Sequence, residues 1–573
     1  MVEHRRWALR KFGHTCVVAI SLATVLLLTG CDARKDKAAA PPVRKNMQIP
    51  FMAHEGGHFA LMVDGAPYLI LGAQMNNWSN YPAVLPKVWP VVDKLGANTL
   101  FAPVAWEQTE PQEGKFDFTY VDTLLAQARR HRVRLVLLWF GTWKNGKMHY
   151  TPEWVKRDPV KYPRVTTANG GPDDTMSPFG AATLEADKTA FVALMKHLKA
   201  TDPRHTVLML QIENEINAYG SRRDYCPEAT KLFEGQVPAD FAAAMWQKEN
   251  GDTSKGTKAQ AGTWTEVFGA EAENTFQTWS IARYIEQIAK AGKAAYGLPI
   301  YLNHSLENPL ATPRAGRLEW SVMTDHVLDI WKATAPSLDT VAPDIYMPQY
   351  AQYEKIVKTY ARKDNALFIP ESGNSAQYAR YPFMALGYGA IGWSMFGIDL
   401  TGYSNAPLGA AQIDDKLVDG FALDYELLGS MDREIAKLNF EGKVQAVCED
   451  PAVRSQTLVF GPWTSTVGYG QPQFGGMRPG GAGAATPNPD PTGRALVAQL
   501  GPDEFLITGV SARVDFRLTD ATSGKHRAYI RVEEGSYVDG KWKMARIWNG
   551  DQTDYGLNFR SLPQVLRVTL MTY

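Results

Sequence analysis

The sequence has little cysteine, with four residues in a chain of 573. Cys16 and Cys31 lie in or beside an N-terminal apolar stretch, and Cys226 and Cys448 fall in different predicted domains. Two cysteines in separate domains cannot form a disulfide framework, so we expect both to be unpaired. Cys and His residues are also nowhere grouped with the spacing of metal ligands. We therefore expect no metal and no other cofactor.

The chain also lacks net charge, since 60 Lys and Arg balance 60 Asp and Glu. Nucleic acid and anionic surfaces are therefore not expected partners. No internal repeat is evident. What the chain does contain is 45% hydrophobic residues, with 16 Trp and 24 Tyr. This length and composition suit a large domain with an accessory domain, and aromatic rings can stack on sugars.

No apolar run near the N-terminus is long enough to favour a spanning helix, because residues 16–28 fall short of the roughly 20 that a span needs. A basic start precedes the run, and Leu28-Thr29-Gly30-Cys31 ends it. These four residues resemble a bacterial lipobox, which implies cleavage before Cys31 and a diacylglycerol on its sulfur. We interpret 1–30 as a lipoprotein signal peptide and 31–50 as a flexible tether. The expected location is the bacterial cell envelope, facing the periplasm or exterior; an uncleaved anchor or ordinary signal is the alternative.

Between residues 51 and 440 the chain alternates short apolar runs with longer amphipathic stretches. Eight such alternations predict an α/β fold, a (β/α)8 TIM barrel. A doubly wound open sheet is the alternative, but no glycine-rich phosphate loop follows the first run. The eight runs are 68–72, 99–105, 134–139, 207–211, 300–303, 340–344, 367–370 and 390–395.

From 441 to 573 the pattern changes to short alternating runs separated by turns, with little helical period. This pattern predicts an accessory all-β sandwich domain.

Two glutamates follow apolar runs that are typical of buried parallel strands, Glu215 after the fourth run and Glu371 after the seventh. Barrel enzymes carry their chemistry at the C-terminal ends of such strands. Glycoside hydrolysis uses two carboxyl groups, one neutral and one ionised. Apolar neighbours should raise the pKa of Glu215, so we assign it as the acid/base and Glu371 as the nucleophile. The alternative is that each is a solvated strand end.

The string Gln211-Ile212-Glu213-Asn214-Glu215 resembles glycoside hydrolase family 35, the clan A β-galactosidases, whose acid/base is the Glu after the Asn. Gly65-Ala66-Pro67-Tyr68 and Trp106-Glu107-Gln108-Thr109-Glu110-Pro111 extend the resemblance upstream. The sequence departs from the family pattern at Ile216 and at 139–143. These departures leave a family 42-like or divergent family 35 member as alternatives.

The resemblance implies that Asn214 hydrogen-bonds the sugar 2-hydroxyl and that Tyr346 contacts Glu371. Glu213 is the rival of Glu215 as the acid, because alternation along a strand points both side chains the same way. The preceding Asn214 favours Glu215 on family grounds.

Four further residues are candidate sugar contacts. Trp393, on the eighth run, is a candidate platform and Trp143 a weaker one; the alternative is that these rings belong to the core. Gln74 and Asn77 end the first strand, where their amides could bind hydroxyls or cap a helix.

The family resemblance implies a retaining, exo-acting β-galactosidase acting on galactosylated oligo- or polysaccharides. The lipobox-like residues imply that it is anchored to a membrane by its N-terminal lipid. Another clan A activity, such as β-glucosidase or endo-glycanase, is the second hypothesis. A non-catalytic surface glycan-binding lipoprotein is the third, which retention of Glu215 and Glu371 disfavours. Residues 216–273, polar and rich in Gly and Asp, form a long predicted loop that opens onto the catalytic face and could be one wall of the substrate cleft; a decorative insertion is the alternative. A pocket closed at one end would indicate exo action, and an open groove would indicate endo action.

Overall fold

The computed structural model describes residues 48–216, 221–249, 257–311, 325–470, 488 and 490–573. The predicted signal peptide, the predicted lipidation site Cys31 and residues 31–47 of the predicted tether lie outside the described residues. Within the described ranges, no helix is long and apolar enough to cross a membrane.

A small antiparallel sheet precedes the barrel and closes its N-terminal end. Its strands are β1 (Phe51–Glu55), β2 (His58–Val63) and β3 (Ala66–Tyr68). Leu61, Val63 and Tyr68 of this sheet share one buried cluster with Ile70 and Phe101 of the barrel interior. The predicted first barrel strand, 68–72, therefore begins too early, because Tyr68 still pairs with Leu61.

Eight parallel strands form the barrel, and their nearly continuous apolar sequences match their burial on both faces. The strands that follow β3 are β4 (Ile70–Gln74), β5 (Thr99–Ala105), β6 (Arg134–Lys144), β7 (Arg164–Thr166), β8 (Pro172–Met176), β9 (Val207–Asn214), β10 (Ile300–His304), β11 (Thr340–Ile345), β12 (Glu371–Ser372) and β13 (Gly392–Phe396). All except the β7–β8 hairpin belong to the barrel, in the order β12-β11-β10-β9-β6-β5-β4-β13. Backbone hydrogen bonds from Ile369 N to Gly392 O (3.2 Å) and from Ser394 N to Ile369 O (2.9 Å) close the ring. The predicted TIM barrel is confirmed.

Helices surround the strands, and those outside the segment 227–268 bury one face toward the barrel. They are α1 (Trp89–Leu95), α2 (Trp106–Thr109), α3 (Thr119–His131), α4 (Glu153–Lys156), α5 (Ala181–Thr201), α6 (Pro227–Glu234), α7 (Ala239–Lys248), α8 (Trp264–Phe268), α9 (Ala272–Ala295), α10 (Asp325–Thr334), α11 (Tyr350–Tyr360), α12 (Tyr381–Gly387), α13 (Asp415–Gly429) and α14 (Asp432–Phe440). Short 3-10 helices span Leu85–Lys87, Gly269–Glu271 and Ala376–Arg380.

The segment after β9 is not the polar loop that the sequence predicted. Helices α6, α7 and α8 bury Phe241, Met245 and Trp264 against α9 in a cluster separate from the barrel core. Thr263 caps the N-terminus of α8 with a capping box, in which its side chain and that of Glu266 each accept a hydrogen bond from the other's backbone N–H. The apolar residues are spaced among Gly and Asp, so the helical period is hard to see in the sequence.

The C-terminal part consists of two antiparallel sheets, as predicted. The strands are β14 (Val444–Cys448), β15 (Ser455–Phe460), β16 (Trp463–Tyr469), β17 (Arg494–Gly501), β18 (Glu504–Val510), β19 (Ala512–Leu518), β20 (Arg527–Val538), β21 (Lys541–Ile547), β22 (Leu557–Phe559) and β23 (Val565–Thr572), with α15 (Asp551–Asp554) before β22. The six-stranded sheet has the order β14-β17-β18-β23-β20-β21, and the four-stranded sheet has the order β15-β16-β19-β22. Trp463, Phe505 and Leu566 are among the residues buried between them.

The six-stranded sheet packs closely on the barrel. Leu496 and Leu506 belong to the same buried cluster as the barrel helices. Gly387 of α12 lies so near β14 that a Cβ there would be 1.9 Å from Ala446 O. Arg494 of β17 donates through Nε to Asp424 Oδ1 of α13 at 2.6 Å, with both side chains buried. The barrel and the sandwich therefore share one continuous core.

Candidate active site

Three carboxyl groups meet where the barrel strands end. Glu215 follows β9, Asp344 is near the end of β11 and Glu371 begins β12. One carboxylate oxygen from each lies within 4.8 Å of the other two, and the exposed fractions of the residues are 9%, 1% and 6%. The predicted catalytic pair is thus brought together, at the end of the barrel where parallel-strand enzymes place their chemistry.

Glu371 is held by two neutral donors. Gln74 Nε2 donates to its Oε2 at 2.9 Å, and the Tyr346 hydroxyl donates to its Oε1. Hydrogen bonds to both oxygens favour the ionised form of a carboxyl group. Burial and the Glu371 charge raise the pKa of Tyr346 well above its ordinary value, so this hydroxyl keeps its proton and stays a donor. The contact predicted between Tyr346 and Glu371 is present.

Glu215 lies in surroundings that favour its neutral form. Burial raises the pKa of Glu215 to about 7; Lys144 opposes the rise and the Glu371 charge adds to it. Its backbone has φ of 47°, and its N–H donates to Asn303 Oδ1 at 3.1 Å, which fixes the residue just beyond the strand. A carboxyl group of this kind can give and take a proton near neutral pH.

Asp344 is the third carboxyl group, and the sequence reasoning did not select it. Its Oδ2 accepts from Asn303 Nδ2 at 2.6 Å, whereas its Oδ1 has no hydrogen-bond partner among the described residues. Burial, with the charges of Glu371 and Glu215, holds the pKa of Asp344 well above its ordinary range. The available signal was an acidic residue inside an apolar strand, two positions before Tyr346.

The donors around the three carboxyl groups decide what the cluster can hold. Its spacing would allow a cation, but Gln74 and Tyr346 already donate to Glu371, and Asn303 donates to Asp344. Lys144, which is 6% exposed, also places a positive charge near Glu215. This set of donors fits carboxyl groups that share protons better than a set of metal ligands.

Glu213, the rival candidate for the acid, is held by the backbone at the end of β6. Its carboxyl group is fully buried and accepts three backbone N–H groups at the end of β6, from Gly141 (3.2 Å), Thr142 (3.0 Å) and Trp143 (2.7 Å). Strand alternation does not apply here, because Glu213 and Glu215 have φ of 59° and 47° and have left the strand conformation. The two side chains therefore have separate surroundings.

Asn214 lies beneath the carboxyl groups, with no exposed surface. Its Oδ1 accepts from Gln211 Nε2 at 3.0 Å and from Asn303 Nδ2 at 3.1 Å, and its Nδ2 donates to Asn145 Oδ1 at 3.2 Å. Asn303, also missed from the sequence, thereby connects Asn214 to Asp344. This chain of amides orients the floor of the site.

Gln74 and Asn77 present acceptors at the end of β4 and in the loop after it. Gln74 Oε1 and Asn77 Oδ1 are both buried and have no partner among the described residues. A buried acceptor without a partner is unfavourable, so a hydroxyl that fills such a position is stabilising. Both residues remain candidates for sugar hydroxyls.

The two predicted tryptophan platforms lie in the core instead. Trp143 is 1% exposed and donates to Met176 O at 3.1 Å; Trp393 is 3% exposed and donates to the Tyr353 hydroxyl at 2.8 Å. Both rings belong to the layer between strands and helices. At these strand positions the side chains point away from the barrel axis. The sequence pattern does not reveal which side of a strand buried on both faces a side chain takes.

Residues 76–297 match the family model of glycoside hydrolase family 42, whose description is β-galactosidase. This part of the barrel is therefore similar to the β-galactosidases of that family. The matched part contains Glu215 but ends before Glu371. It supports the predicted clan A relationship and does not support the finer assignment to family 35. Residues 421–560 match a domain of unknown function, DUF5597.

Similar solved structures include β-galactosidases from Bacillus circulans sp. alkalophilus, Rahnella sp. R3 and G. stearothermophilus, the last a family 42 enzyme. Sequence identities are 14%, 16% and 16%, and TM-scores are 0.46, 0.44 and 0.47. The alignments cover 64%, 65% and 65% of this chain and 57%, 58% and 59% of those chains, so it spans less than two thirds of their length. The likeness concerns the fold alone. No curated protein matches the chain.

The raised pKa of Glu215 predicts how stability changes with pH. In the folded protein the carboxyl group holds its proton up to about pH 7, against an ordinary value of 4.5. The stability that this proton contributes is complete below pH 4.5 and is lost as pH rises through 7, about 3 kcal/mol in total. Glu215→Gln cannot titrate, so its unfolding free energy relative to wild type should rise by about that amount between pH 4 and pH 8.

Denaturant unfolding at a series of pH values measures this difference. Glu426→Gln, at an exposed position of α13, is the matched control against which the drift for Glu215→Gln is measured. A flat difference for Glu215→Gln, or an equal drift in the control, would contradict the assignment.

Proposed function

We propose that this protein is a retaining, exo-acting β-galactosidase that removes terminal β-galactosyl units from oligo- or polysaccharides by double displacement. The observation that carries the proposal is the pairing of Glu215, with a pKa of about 7, and Glu371, held by two donors. Carboxyl groups about 5–5.5 Å apart are typical of retaining enzymes, whereas inverting enzymes need a wider gap for water. One oxygen of each member of this pair lies within 4.8 Å of the other, which favours the retaining arrangement.

In the first step a Glu371 oxygen attacks the anomeric carbon while Glu215 gives its proton to the glycosidic oxygen. The bond to the leaving alcohol breaks and a glycosyl ester forms on Glu371. In the second step Glu215 takes a proton from water, whose oxygen attacks the same carbon and releases the Glu371 carboxylate. Tyr346 and Gln74 donate hydrogen bonds to the Glu371 carboxylate before attack, and they donate to it again once it is released.

Asn303 and Asp344 set the position and protonation of the acid in this scheme. Asn303 accepts from the Glu215 backbone N–H and donates to Asp344, so one amide orients both. A protonated Asp344 adds no negative charge beside Glu215 and leaves Glu371 as the ionised member of the cluster. Asn214, attached to the same amide chain, is the proposed partner of the sugar 2-hydroxyl.

The choice of galactose and the exo mode of action are supported by different observations. Galactose is supported by the family 42 match of residues 76–297, whose description is β-galactosidase. Exo action is supported by the helical segment α6–α8, a folded body that follows β9 and therefore lies at the end of the barrel where the carboxyl groups meet. A folded wall on one side of a cleft favours a pocket over an open groove.

A panel of matched nitrophenyl β-glycosides tests the proposed activity. We expect kcat/KM for the galactoside to exceed that for the glucoside by at least about tenfold, because a site that hydrogen-bonds one hydroxyl arrangement leaves polar groups unpaired with the other. Galacto-oligosaccharides should release only monosaccharide at early times. A preference for glucoside would indicate a β-glucosidase, release of long products an endo-glycanase, and binding without turnover a glycan-binding protein; each outcome contradicts the proposal.

Azide rescue tests the roles of the two glutamates. Glu371→Ala should lose several orders of magnitude in turnover, and added azide should restore part of it with a glycosyl azide of inverted configuration, because azide attacks in place of the nucleophile. Glu215→Ala is the matched variant. With azide it should give a glycosyl azide of retained configuration, because the glycosyl ester still forms.

Product configuration is read by nuclear magnetic resonance. Near-normal turnover in Glu371→Ala, or the same azide configuration from both variants, would contradict the double-displacement scheme.

We also propose that the enzyme is a lipoprotein of the bacterial cell envelope. The support is the lipobox-like Leu28-Thr29-Gly30-Cys31 and the polar residues that follow it. Two acyl chains or more provide durable membrane anchoring, at about 0.8 kcal/mol per buried methylene. A tether of this kind would present the barrel to polymers outside the membrane.

Cys31→Ala should therefore move the protein out of the membrane fraction or block its maturation. Cys226→Ala, which removes a half-buried thiol of the barrel region, is the control and should stay in the membrane fraction. A chain that begins at Met47 should retain normal kcat. Intact-mass analysis that finds an unmodified chain cut elsewhere would contradict the anchor and leave the glycosidase proposal standing.

A further inference from the structure

Two exposed aromatic side chains meet on the barrel face that carries the carboxyl groups. Trp78 is 42% exposed and Tyr403 is 45% exposed, large fractions for rings that also contact each other. Their centroids are 4.3 Å apart and their planes lie at 80°. Edge-to-face packing leaves a corner between the two rings, with one ring as a floor and the other as a wall.

The pair lies close to the candidate active site. Trp78 is four residues after Gln74, whose amide donates to Glu371. Four residues span at most about 14 Å, so the backbone at Trp78 cannot be farther than that from the Gln74 backbone. Tyr403 is in the segment after β13, the barrel neighbour of β4. Both loops therefore leave the C-terminal end of adjacent strands.

A buried carboxylate ties these two loops together. Asp399, which is 2% exposed, accepts from Asn76 N at 2.9 Å, Asn76 Nδ2 at 2.8 Å and Ser79 Oγ at 2.6 Å in the first loop. On its own loop it accepts from Thr401 N at 3.2 Å. Charge-assisted hydrogen bonds are among the strongest in proteins, so the loops hold the aromatic corner in place before any ligand arrives.

The chemistry of the corner selects its ligand. The faces of Trp and Tyr are apolar and match the C–H faces of a pyranose ring, while the neighbouring Asn77 offers a buried acceptor without a partner among the described residues. The catalytic carboxyl groups are at most 9% exposed, whereas these rings are more than 40% exposed. The corner therefore suits an outer unit of the substrate better than the buried unit that is cleaved.

We propose that Trp78 and Tyr403 form a stacking subsite for an uncharged sugar on the leaving-group side of the scissile bond. The side follows from the proposed function, since an enzyme that removes terminal units has outer sugars only on that side. The substrate class is then a β-galactosyl unit attached to a further sugar, rather than a galactoside of a small alcohol.

The test compares substrates that differ in whether they reach the corner. β-Galactosyl fluoride has a single-atom leaving group, whereas β-1,4-galactobiose places a sugar there. Trp78→Ala and Tyr403→Ala should each lower kcat/KM for galactobiose by about tenfold, in line with one stacking contact, and change that for the fluoride by less than twofold. Trp78→Phe and Tyr403→Phe should recover most of the loss. Tyr81→Ala, which removes a 48% exposed ring from the same loop, is the control and should leave kcat/KM for both substrates nearly unchanged.

Equal losses for both substrates would place the rings against the cleaved unit and overturn the proposal, as would no loss for galactobiose. Binding measurements test the stacking subsite independently of the proposed hydrolytic activity. In the Glu371→Ala background, calorimetry with galacto-, gluco-, xylo- and manno-oligosaccharides should show at least one ligand whose affinity falls about tenfold with Trp78→Ala, even if wild type hydrolyses no galactoside. Unchanged affinity for every oligosaccharide, or no binding, would overturn the subsite.

Discussion

Repulsion among three carboxyl groups in one buried pocket is the constraint around which the site is organised. Two unit charges 4.8 Å apart repel by about 3–4 kcal/mol at an effective dielectric constant of 20. Keeping a proton on a carboxyl group near pH 7 costs about as much. The repulsion from two charged neighbours and the loss of hydration together exceed that cost. A cluster that keeps a proton is therefore more stable than one in which all three carboxyl groups are ionised. Gln74 and Tyr346 donate to the two oxygens of Glu371, and such donors stabilise a carboxylate.

A second buried acidic pair in the same barrel shows how hydrogen-bond donors determine the role of a carboxyl group. Glu213 and Asp187 are also fully buried, and burial raises the pKa of both. Backbone N–H groups of β6 and the side chain of Thr142 donate to the carboxyl oxygens of this pair. The pair therefore stabilises the conformation of the strand end. Gly141 is needed there, because a Cβ would stand 2.8 Å from Glu213 Oε1. Among the described residues, no backbone N–H group donates to the carboxyl oxygens of Glu215, Asp344 or Glu371, so these three groups remain able to exchange protons.

The sequence predicted the barrel, the sandwich and the catalytic pair because each leaves a regular trace. Buried parallel strands are continuous apolar runs, and Glu215 and Glu371 follow two of them directly. Asp344 and Asn303 escaped notice because their importance depends on strands distant in sequence meeting at one end of the barrel. Trp143 and Trp393 were selected by residue type, and the burial of a ring depends on which side of the strand it faces.

The close packing of the sandwich on the barrel bears on where the chain can be divided. The DUF5597 match begins at residue 421, inside α13, and includes all of α14, although both helices pack on the barrel. The Asp424–Arg494 ion pair crosses the same seam, and removing one partner of a buried pair leaves an isolated charge. A gene rearrangement that joined this sandwich to another barrel would have to bring the last two helices with it. The matched domain is thus a sandwich together with the last part of the barrel's helical layer.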